Sequence, residues 1–437
     1  MKIITQIPIM VKKHLDYILA VILLFILLTP TDVWDKTYGQ LDFYYVVFPI
    51  ITVLLVLVCV ANWIEKKRSF LSWLRGNIWF VAFAVSLLAA VLFSTNRHLS
   101  VSYLPYYFSG IFMACVIYAG GLTYRQIRRI LAVVTIGLLL TAIYAVMQRI
   151  QGVAVNPSFT NLTVNQNMPG RVESVFGNPN IYAFTLTSLL PVVAAYMLIV
   201  KSRLWRALGA ISFILGVVAL MMTYSRGAWF GFAAGLFLFI AIWKPKLVPI
   251  FLLFSAIAIP FLPTSIKDRF LTIFNPNDTS ISYRGLLLNS SLQLIADRPI
   301  SGAGLGLVTV QDVVHQSYWP SYLDPVYRFY HSHNIFVQTW CEMGIFGLVS
   351  FIGAFFHNMV SALRKFRQKS KSIQVLTASL SAGMVAMLLC GLTDCPLNTL
   401  RTMLLFWILF GLLGSVKKVN ETDILFGQMA DLSDTDK

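Results

Sequence analysis

The segment that decides the fold spans residues 43–63 and reads FYYVVFPIITVLLVLVCVANW. It holds 21 residues and no charged side chain. A helix of about 20 apolar residues crosses the hydrocarbon core of a bilayer, which is about 30 Å thick. Because the apolar residues are continuous and do not alternate, a strand of a membrane barrel is disfavoured. The segment therefore predicts a transmembrane helix.

Similar segments recur along the chain of 437 residues, of which 57% are apolar and 12% charged. They predict an all-α polytopic membrane protein of about twelve transmembrane helices. The predicted spans are 15–34, 43–63, 77–94, 101–121, 130–150, 180–200, 207–224, 227–243, 247–263, 333–358, 373–393 and 399–416. Two further segments, 151–179 and 264–332, are too long to be simple connections and are expected to carry function.

These boundaries divide the chain into four parts. We expect an N-terminal transmembrane bundle at 1–263, which includes the outer loop 151–179, and a helical extracytoplasmic loop domain at 264–332. C-terminal transmembrane helices follow at 333–416, and residues 417–437 form a tail that we expect in the cytoplasm.

Positive charge is concentrated on one side of the predicted spans. With a cytoplasmic N-terminus, every inner segment is basic, and these segments hold 23 of the 34 lysine and arginine residues. This is the positive-inside pattern, and it predicts that both termini are cytoplasmic. The formal charge of +16 then faces anionic lipid headgroups, so it gives no reason to expect nucleic-acid binding. The five cysteines lie mostly inside spans and predict packing residues, with no metal site.

The segment 331–347 reads HSHNIFVQTWCEMGIFG and joins an aromatic outer loop to a predicted span. An imidazole with an ordinary pKa of about 6.5 can accept a proton from a hydroxyl near neutral pH. A histidine where this outer loop meets the predicted span is therefore a candidate general base. His331 and His333 are two residues apart and cannot share a helical face, so we expect only one of them to be the base.

The same segment carries a family resemblance. His333-Asn334, nine further residues and Gly344-x-x-Gly347 resemble the H-N-x9-G-x-x-G signature of the O-antigen ligase and polysaccharide polymerase superfamily. Three other elements resemble that superfamily in the same chain order. They are Gly170-Arg171 with Gly177-Asn178-Pro179-Asn180, then Ser225-Arg226-Gly227-Ala228, and then Tyr283-Arg284 leading to the glycine-rich turn 299–306.

The resemblance implies a GT-C-type glycosyltransferase of the bacterial inner membrane that needs no metal or other cofactor. Such an enzyme takes a glycan from undecaprenyl diphosphate at the outer face and joins it to an acceptor hydroxyl. The functional positions that it implies are Arg226, Arg284 and His333, with His333 as the base. Membrane lipids and other polysaccharide-assembly proteins are the expected partners.

Elementary chemistry agrees with these roles. Arginine holds phosphate oxygens by charge-assisted, often bidentate bonds, and charge grows on the diphosphate as the glycosyl bond breaks. We expect Arg226 and Arg284 on the diphosphate and Arg171 assisting them. The alternatives are an arginine that snorkels from a helix end for Arg226, an exposed interfacial residue for Arg284, and a loop-ordering salt bridge to Glu173 or to aspartate residues for Arg171.

Five other residues are candidates for supporting roles. Glu342 lies nine residues into a span, where a carboxylate is costly, so it either polarises the site or is a hydrogen-bonded structural group. Asn178 and Asn180 either contact sugar or cap the next helix. Asn334 belongs to the motif, and His331 is expected to contact the loop or the acceptor.

Three classes of function are compatible with the sequence: an enzyme, a transporter and a scaffold protein. The motif spacing favours an O-antigen ligase, whose acceptor is lipid A core, over a polymerase, whose acceptor is a lipid-linked repeat. A lipid-linked glycan flippase or transporter is the main alternative from another class. Such proteins usually show repeated halves or charges near the middle of the membrane, whereas the charges singled out here lie at the outer edge. A scaffold protein ranks third.

Overall fold

A computed structural model describes residues 2–34, 37–38, 41–66, 69–157, 159–160, 168–272, 279–320, 328–364 and 366–419. Nineteen α-helices and two short antiparallel strands, β1 (Thr37–Tyr38) and β2 (Leu41–Asp42), lie in these ranges. The helices are α1 (Lys2–Lys13), α2 (Leu15–Leu28), α3 (Thr31–Trp34), α4 (Tyr44–Ile64), α5 (Ser69–Gly76), α6 (Ile78–Leu92), α7 (Arg97–Ser102), α8 (Leu104–Gly120), α9 (Tyr124–Gln151), α10 (Pro179–Ile199), α11 (Arg203–Met222), α12 (Arg226–Trp243), α13 (Val248–Ala258), α14 (Thr264–Leu271), α15 (Thr279–Asp297), α16 (Leu307–Ser317), α17 (Ile335–Leu363), α18 (Lys371–Cys390) and α19 (Leu400–Val416).

The described helices are consistent with a polytopic membrane protein. Eight are long and apolar enough to cross a bilayer: α4, α8 together with α7, α9, α10, α11, α12, α17 and α18. The shorter apolar helices α2, α6 and α19 coincide with three more predicted spans. The number twelve stays a prediction. The predicted span 247–263 coincides with the apolar helical segment Pro245–Phe261, which contains α13, and the chain bends by 107° between this segment and α14.

The centre of the bundle is formed by α10 and α18, whose apolar windows are the most deeply buried of the eight. Helix α10 packs against α9, α11, α12 and α18, and α19 packs against α8. The loop domain contains the helices α14, α15 and α16 where it is described. Helices α15 and α16 both pack against α17. Of the predicted tail, residues 417–419 are described and the remainder lies outside the described residues.

Helix α17 is broken at Gly344, the first glycine of the H-N-x9-G-x-x-G motif. The backbone of Gly344 has φ 67° and ψ −174°, a conformation that essentially only glycine adopts. The segment 299–304 inserts at this break. Ala303 donates its backbone N–H to the carbonyl of Cys341 at 2.7 Å, and Ile345 donates to the carbonyl of Pro299 at 3.0 Å. The loop domain is thereby fastened to the helix that follows the histidines.

We predict that Gly344→Ala destabilises the protein. An added Cβ would lie 1.7 Å from the carbonyl oxygen of Ile300, and the strained backbone alone costs about 1–3 kcal/mol. Thermal unfolding of the detergent-solubilised protein measures the loss. The matched control is Gly285→Ala, because Gly285 has open space in α15, and alanine in a helix is about 1 kcal/mol more favourable than glycine. Equal unfolding temperatures for the two variants would contradict the structural role of Gly344.

Candidate active site

Asn334 fixes the beginning of α17 beside the loop 391–399, which joins α18 to α19. Its side-chain oxygen accepts the backbone N–H groups of Phe336 at 3.0 Å and Val337 at 3.1 Å, as an N-cap residue does. Its amide nitrogen donates to the carbonyl of Leu392 at 3.2 Å. Asn334 therefore holds the histidine segment against the loop 391–399.

His333 has a strained backbone. Its φ is 49°, in the left-handed region that is uncommon for residues other than glycine and that is often found at functional sites. The turn is held by Ser332, whose N–H donates to Gln338 Oε1 at 3.1 Å, and by the His333 N–H, which donates to His331 Nδ1 at 3.1 Å. These bonds fix the direction in which the His333 imidazole points.

The two histidines meet Asp394, a residue that the sequence did not single out. His333 Nδ1 lies 3.2 Å from Asp394 Oδ1, and His331 Nε2 lies 3.8 Å from the same oxygen. Asp394 is only 9% exposed. A carboxylate beside Nδ1 keeps the proton on that nitrogen, which leaves Nε2 of His333 as the proton acceptor. The sequence feature that could have identified Asp394 is its position as a carboxylate in the short segment between the last two predicted spans.

The site favours an ionised carboxylate and a neutral His331. Burial acts to raise the pKa of Asp394, but the close approach of His333 and the charges of His333, His331 and Arg284 hold that pKa well below its usual range. Burial lowers the pKa of His331 to about 4, and the neighbouring His333 acts in the same direction. The carboxylate can therefore stabilise a proton that arrives on His333.

The three side chains also have the composition of a metal site. The ligand atoms of His331, His333 and Asp394 all lie within 4.8 Å of one another. However, His331 Nδ1 accepts a backbone N–H, so the proton of the neutral ring is on Nε2, the atom that faces Asp394. A protonated nitrogen cannot bind a metal ion. The hydrogen bonds thus favour proton transfer over metal binding at this cluster.

Arg171 is connected to this cluster through Asn180. It is 8% exposed, and it donates to the carbonyls of Thr223 at 2.6 Å and Phe159 at 3.0 Å and to the side-chain oxygen of Asn180. The amide nitrogen of Asn180 in turn donates to Asp394 Oδ2 at 3.1 Å. Asn180 therefore bridges the guanidinium and the carboxylate.

The structure shows the contacts of Arg171 and Asn178 in this loop. Among the described residues the hydrogen-bond partners of Arg171 are those three groups, and the alternative of a salt bridge to Glu173 or to an aspartate is not observed. Asn178 caps α10, because its side-chain oxygen accepts the N–H groups of Asn180 at 2.8 Å and Ile181 at 3.4 Å.

Arg226 is the first residue of α12 and follows a strained turn at Tyr224, whose φ is 51°. It donates to the hydroxyl of Thr272 at 2.7 Å. Arg269, on α14, is 8% exposed and reaches the carbonyl of Tyr224 at 3.5 Å. The turn and α14 thus bring two arginines to one place.

Three other arginines act electrostatically on Arg171. Burial lowers the pKa of Arg171 to about 9, and the charges of Arg269, Arg284 and Arg226 act in the same direction, while Asp394 opposes them. Arg171, Arg226, Arg269 and Arg284 form what we call the arginine cluster. Arg269 was not among the predicted site residues, because no sequence motif contains it.

Glu342 has a structural environment. It is 3% exposed, and its carboxylate accepts hydrogen bonds from the Tyr107 hydroxyl, from Gln338 Nε2 at 2.8 Å and from the Gly306 N–H at 3.0 Å. Gln338 also binds Ser332, so Glu342 supports both the glycine-rich turn and the histidine segment. These bonds favour the structural alternative for this carboxylate.

We predict that the buried His331 makes stability depend on pH. Its folded pKa of about 4 lies below the ordinary value of about 6.5, so between these values the unfolded chain binds a proton that the folded chain does not. Stability should therefore fall as the pH falls through this window. Thermal unfolding in detergent across pH 4.5–7 measures the slope.

The control for that measurement is His331→Asn, which keeps an acceptor for the His333 N–H and removes the titrating group. The slope of the variant should be shallower by about one bound proton. Identical slopes for wild type and variant would show that His331 does not titrate in this way.

Comparison with known protein families gives a match to part of the chain. Residues 211–352 match the protein-family model described as O-antigen ligase, whereas no curated protein matches the chain. The matched stretch contains Arg226, Arg284, His331, His333, Asn334 and Glu342. It excludes Arg171, Asn178, Asn180 and Asp394, which the structure brings to the same place. This part of the chain is therefore similar to the O-antigen ligase family, and the match supports a function of the O-antigen ligase or polymerase type.

Proposed function

We propose that this protein transfers a glycan from undecaprenyl diphosphate to an acceptor hydroxyl at the outer face of the bacterial inner membrane. The observation that carries the proposal is the junction of the His333–Asp394 pair with the arginine cluster through Asn180. In this proposal the His333–Asp394 pair supplies the base and the arginine cluster supplies the anion-binding site. Transfer from a lipid diphosphate requires both groups.

In the proposed reaction, Nε2 of His333 removes the proton of the acceptor hydroxyl. The hydroxyl oxygen bonds to the anomeric carbon of the donor as the bond from that carbon to the diphosphate breaks, and the electron pair leaves with the diphosphate oxygen. The proton stays on His333, where Asp394 stabilises the imidazolium. Direct displacement inverts the anomeric carbon.

The arginine cluster binds the diphosphate in this proposal. Negative charge grows on the departing group, so fixed guanidinium groups stabilise the transition state more than the ground state. Arg171 is held by two backbone carbonyls and Asn180, which preorganises its charge. Four arginines supply the positive charge that a divalent cation would otherwise supply, so we expect transfer without a metal ion.

The acceptor separates the two enzyme alternatives. We favour a ligase with lipid A core as acceptor, because the H-N-x9-G-x-x-G spacing is complete and no R-x10-G pattern begins at Arg171, Arg226 or Arg284. A polymerase that uses a lipid-linked repeat has the same donor chemistry. A flippase is less well supported, since a paired and strained histidine has no evident use in moving a lipid across the membrane.

The test is transfer by the purified protein in detergent with a chelator present. The donor is an undecaprenyl-diphosphate glycan, and the acceptor is either lipid A core or a second lipid-linked repeat. Wild type should form product, and His333→Ala should lower kcat by about 10²- to 10⁴-fold, as expected for loss of a general base. The control is His98→Ala, because His98 is an exposed histidine on α7.

The outcomes separate the alternatives. The acceptor consumed distinguishes ligase from polymerase. Full activity of His333→Ala would remove this residue as the base, and loss of wild-type activity on chelation would contradict metal-independent transfer. If wild type transfers glycan to neither acceptor, the flippase becomes the better explanation.

A second prediction concerns Asp394→Asn. An asparagine amide can donate to His333 Nδ1, which would move the ring proton to Nε2 and remove the proton acceptor. We expect kcat to fall by at least about 10²-fold with the KM for the donor unchanged. Steady-state kinetics of the folded variant measure both, with Asp312→Asn as the control because Asp312 is exposed on α16. A variant that changes only KM would point to substrate binding as the role of Asp394.

A further inference from the structure

Basic residues from three helix ends are gathered at the end of the bundle that lies opposite the candidate active site. Helix α17 begins at that site and is followed by Arg364. Helix α19 begins after the loop that carries Asp394 and is followed by Lys417 and Lys418. Lys12 belongs to the last turn of α1. We call Lys12, Arg364, Lys417 and Lys418 the basic cluster.

The two lysines after α19 are fixed to two other helices. Lys417 Nζ donates to the hydroxyl of Ser361 on α17 at 2.8 Å. Lys418 Nζ donates to the carbonyl of Tyr118 near the end of α8 at 3.4 Å, and it lies 3.3 Å from the centroid of the Tyr118 ring. Both lysine side chains are half-buried. Their charges are therefore held near the ends of α8 and α17, and the groups that hold them are neutral.

Lys12 reaches the same end of α8 through the end of α4. Its Nζ donates to Asn62 Oδ1 at 2.6 Å and lies 2.7 Å from Glu65 Oε2. The amide nitrogen of Asn62 in turn donates to the carbonyl of Ala119 on α8 at 2.9 Å. Because Ala119 and the partner of Lys418 are neighbours in the sequence, these contacts bring Lys12 and Lys418 to one place.

The charges of the basic cluster act on one another. Burial lowers the pKa of Lys418 to about 8, and the charges of Lys417 and Lys12 act in the same direction. Burial also lowers the pKa of Lys417, and the charge of Arg364 adds to this effect. Within the described part of the chain, the ion pair that the cluster makes is the one between Lys12 and Glu65. Positive charge exceeds negative charge here, so an anion would be attracted by several cations at once.

The side chains around the basic cluster indicate the level of the membrane surface. Trp63 is 80% exposed and lies two residues before Glu65. Tryptophan is enriched where a membrane protein meets the boundary between lipid and water. On α17, Val360 is 47% exposed and lies four residues before Arg364. Exposed apolar surface therefore adjoins the cations, as it does where a phospholipid binds by both its headgroup and its chains.

We propose that the basic cluster binds the phosphate group of an anionic phospholipid, whose acyl chains lie along the exposed apolar surface of α17. Basic pockets between transmembrane helices bind anionic headgroups in this way. An ammonium group has three donors, so Lys417 and Lys418 each retain N–H groups beyond the bond that each makes inside the protein. The bound lipid would join the ends of α8, α17 and α19. The inference does not depend on the proposed reaction.

The test is native mass spectrometry of the full-length protein in detergent, with two lipids as probes. Phosphatidylglycerol has an anionic headgroup, whereas phosphatidylcholine carries no net charge. We expect one phosphatidylglycerol to bind wild type at least about tenfold more tightly than phosphatidylcholine. Combining Lys417→Gln with Lys418→Gln should weaken phosphatidylglycerol binding by at least about tenfold, because one basic residue near an anionic surface contributes about fivefold.

The matched control combines Lys201→Gln with Lys246→Gln, which removes the same charge from two exposed lysines. Its affinity for phosphatidylglycerol should stay within about twofold of that of wild type, since neither lysine belongs to the cluster. A second site variant, Arg364→Gln, changes an exposed side chain, so the protein should keep its fold. This variant should bind phosphatidylglycerol about fivefold more weakly than wild type.

The outcomes decide the inference. Equal binding of the two lipids by wild type would overturn it, as would equal losses in the lysine pair of the cluster and in the control pair. Inorganic phosphate at millimolar concentration is the third probe. If it displaces phosphatidylglycerol, the ligand is a soluble phosphate and the assignment to a lipid is wrong. Unchanged affinity in Arg364→Gln and in the lysine pair would likewise remove the basic cluster as the binding site.

Discussion

The contact between His333 and Asp394 requires three distant parts of the chain to meet. The histidine stands at the beginning of α17, the carboxylate lies in the loop between α18 and α19, and Asn180 at the beginning of α10 holds the second oxygen of that carboxylate. Each part is fixed by its own helix end. Because α10 and α18 form the buried centre of the bundle, the packing of that centre sets the geometry of the site.

Local strain occurs where the site requires it. Among the described residues other than glycine, four have positive φ, and two of them, Tyr224 and His333, directly flank or form the site. Each such residue costs about 1–3 kcal/mol and persists only when its surroundings hold it. For His333 the holding groups are Ser332 and Asn334, which are themselves bonded to α17 and the loop 391–399. The stability of the bundle thereby offsets the strain that fixes the direction of the His333 imidazole.

The sequence predicted those features that depend on local patterns. Apolar runs predicted the helices, and motifs with fixed spacing predicted that Arg226, Arg284 and His333 belong together. Asp394 and Arg269 were missed because each is an isolated charge whose spacing from the histidine carries no information. The break in α17 was missed for a similar reason, since a glycine in an apolar run does not reveal that another segment will insert beside it. Only the tertiary structure brings Ile300 to Gly344.

The charge balance of the site is consistent with the lipid diphosphate that we propose as the donor. Four guanidinium groups act on one another, and their repulsion contributes to the lowered pKa of Arg171. Asp394 offsets part of that repulsion, but its second role as partner of His333 requires that it stay ionised and accessible to the imidazole. In the proposed reaction a diphosphate gains negative charge as it departs, and the arginines are already held in place by the protein before that charge develops. The same four guanidinium groups would therefore stabilise the proposed transition state more than the ground state.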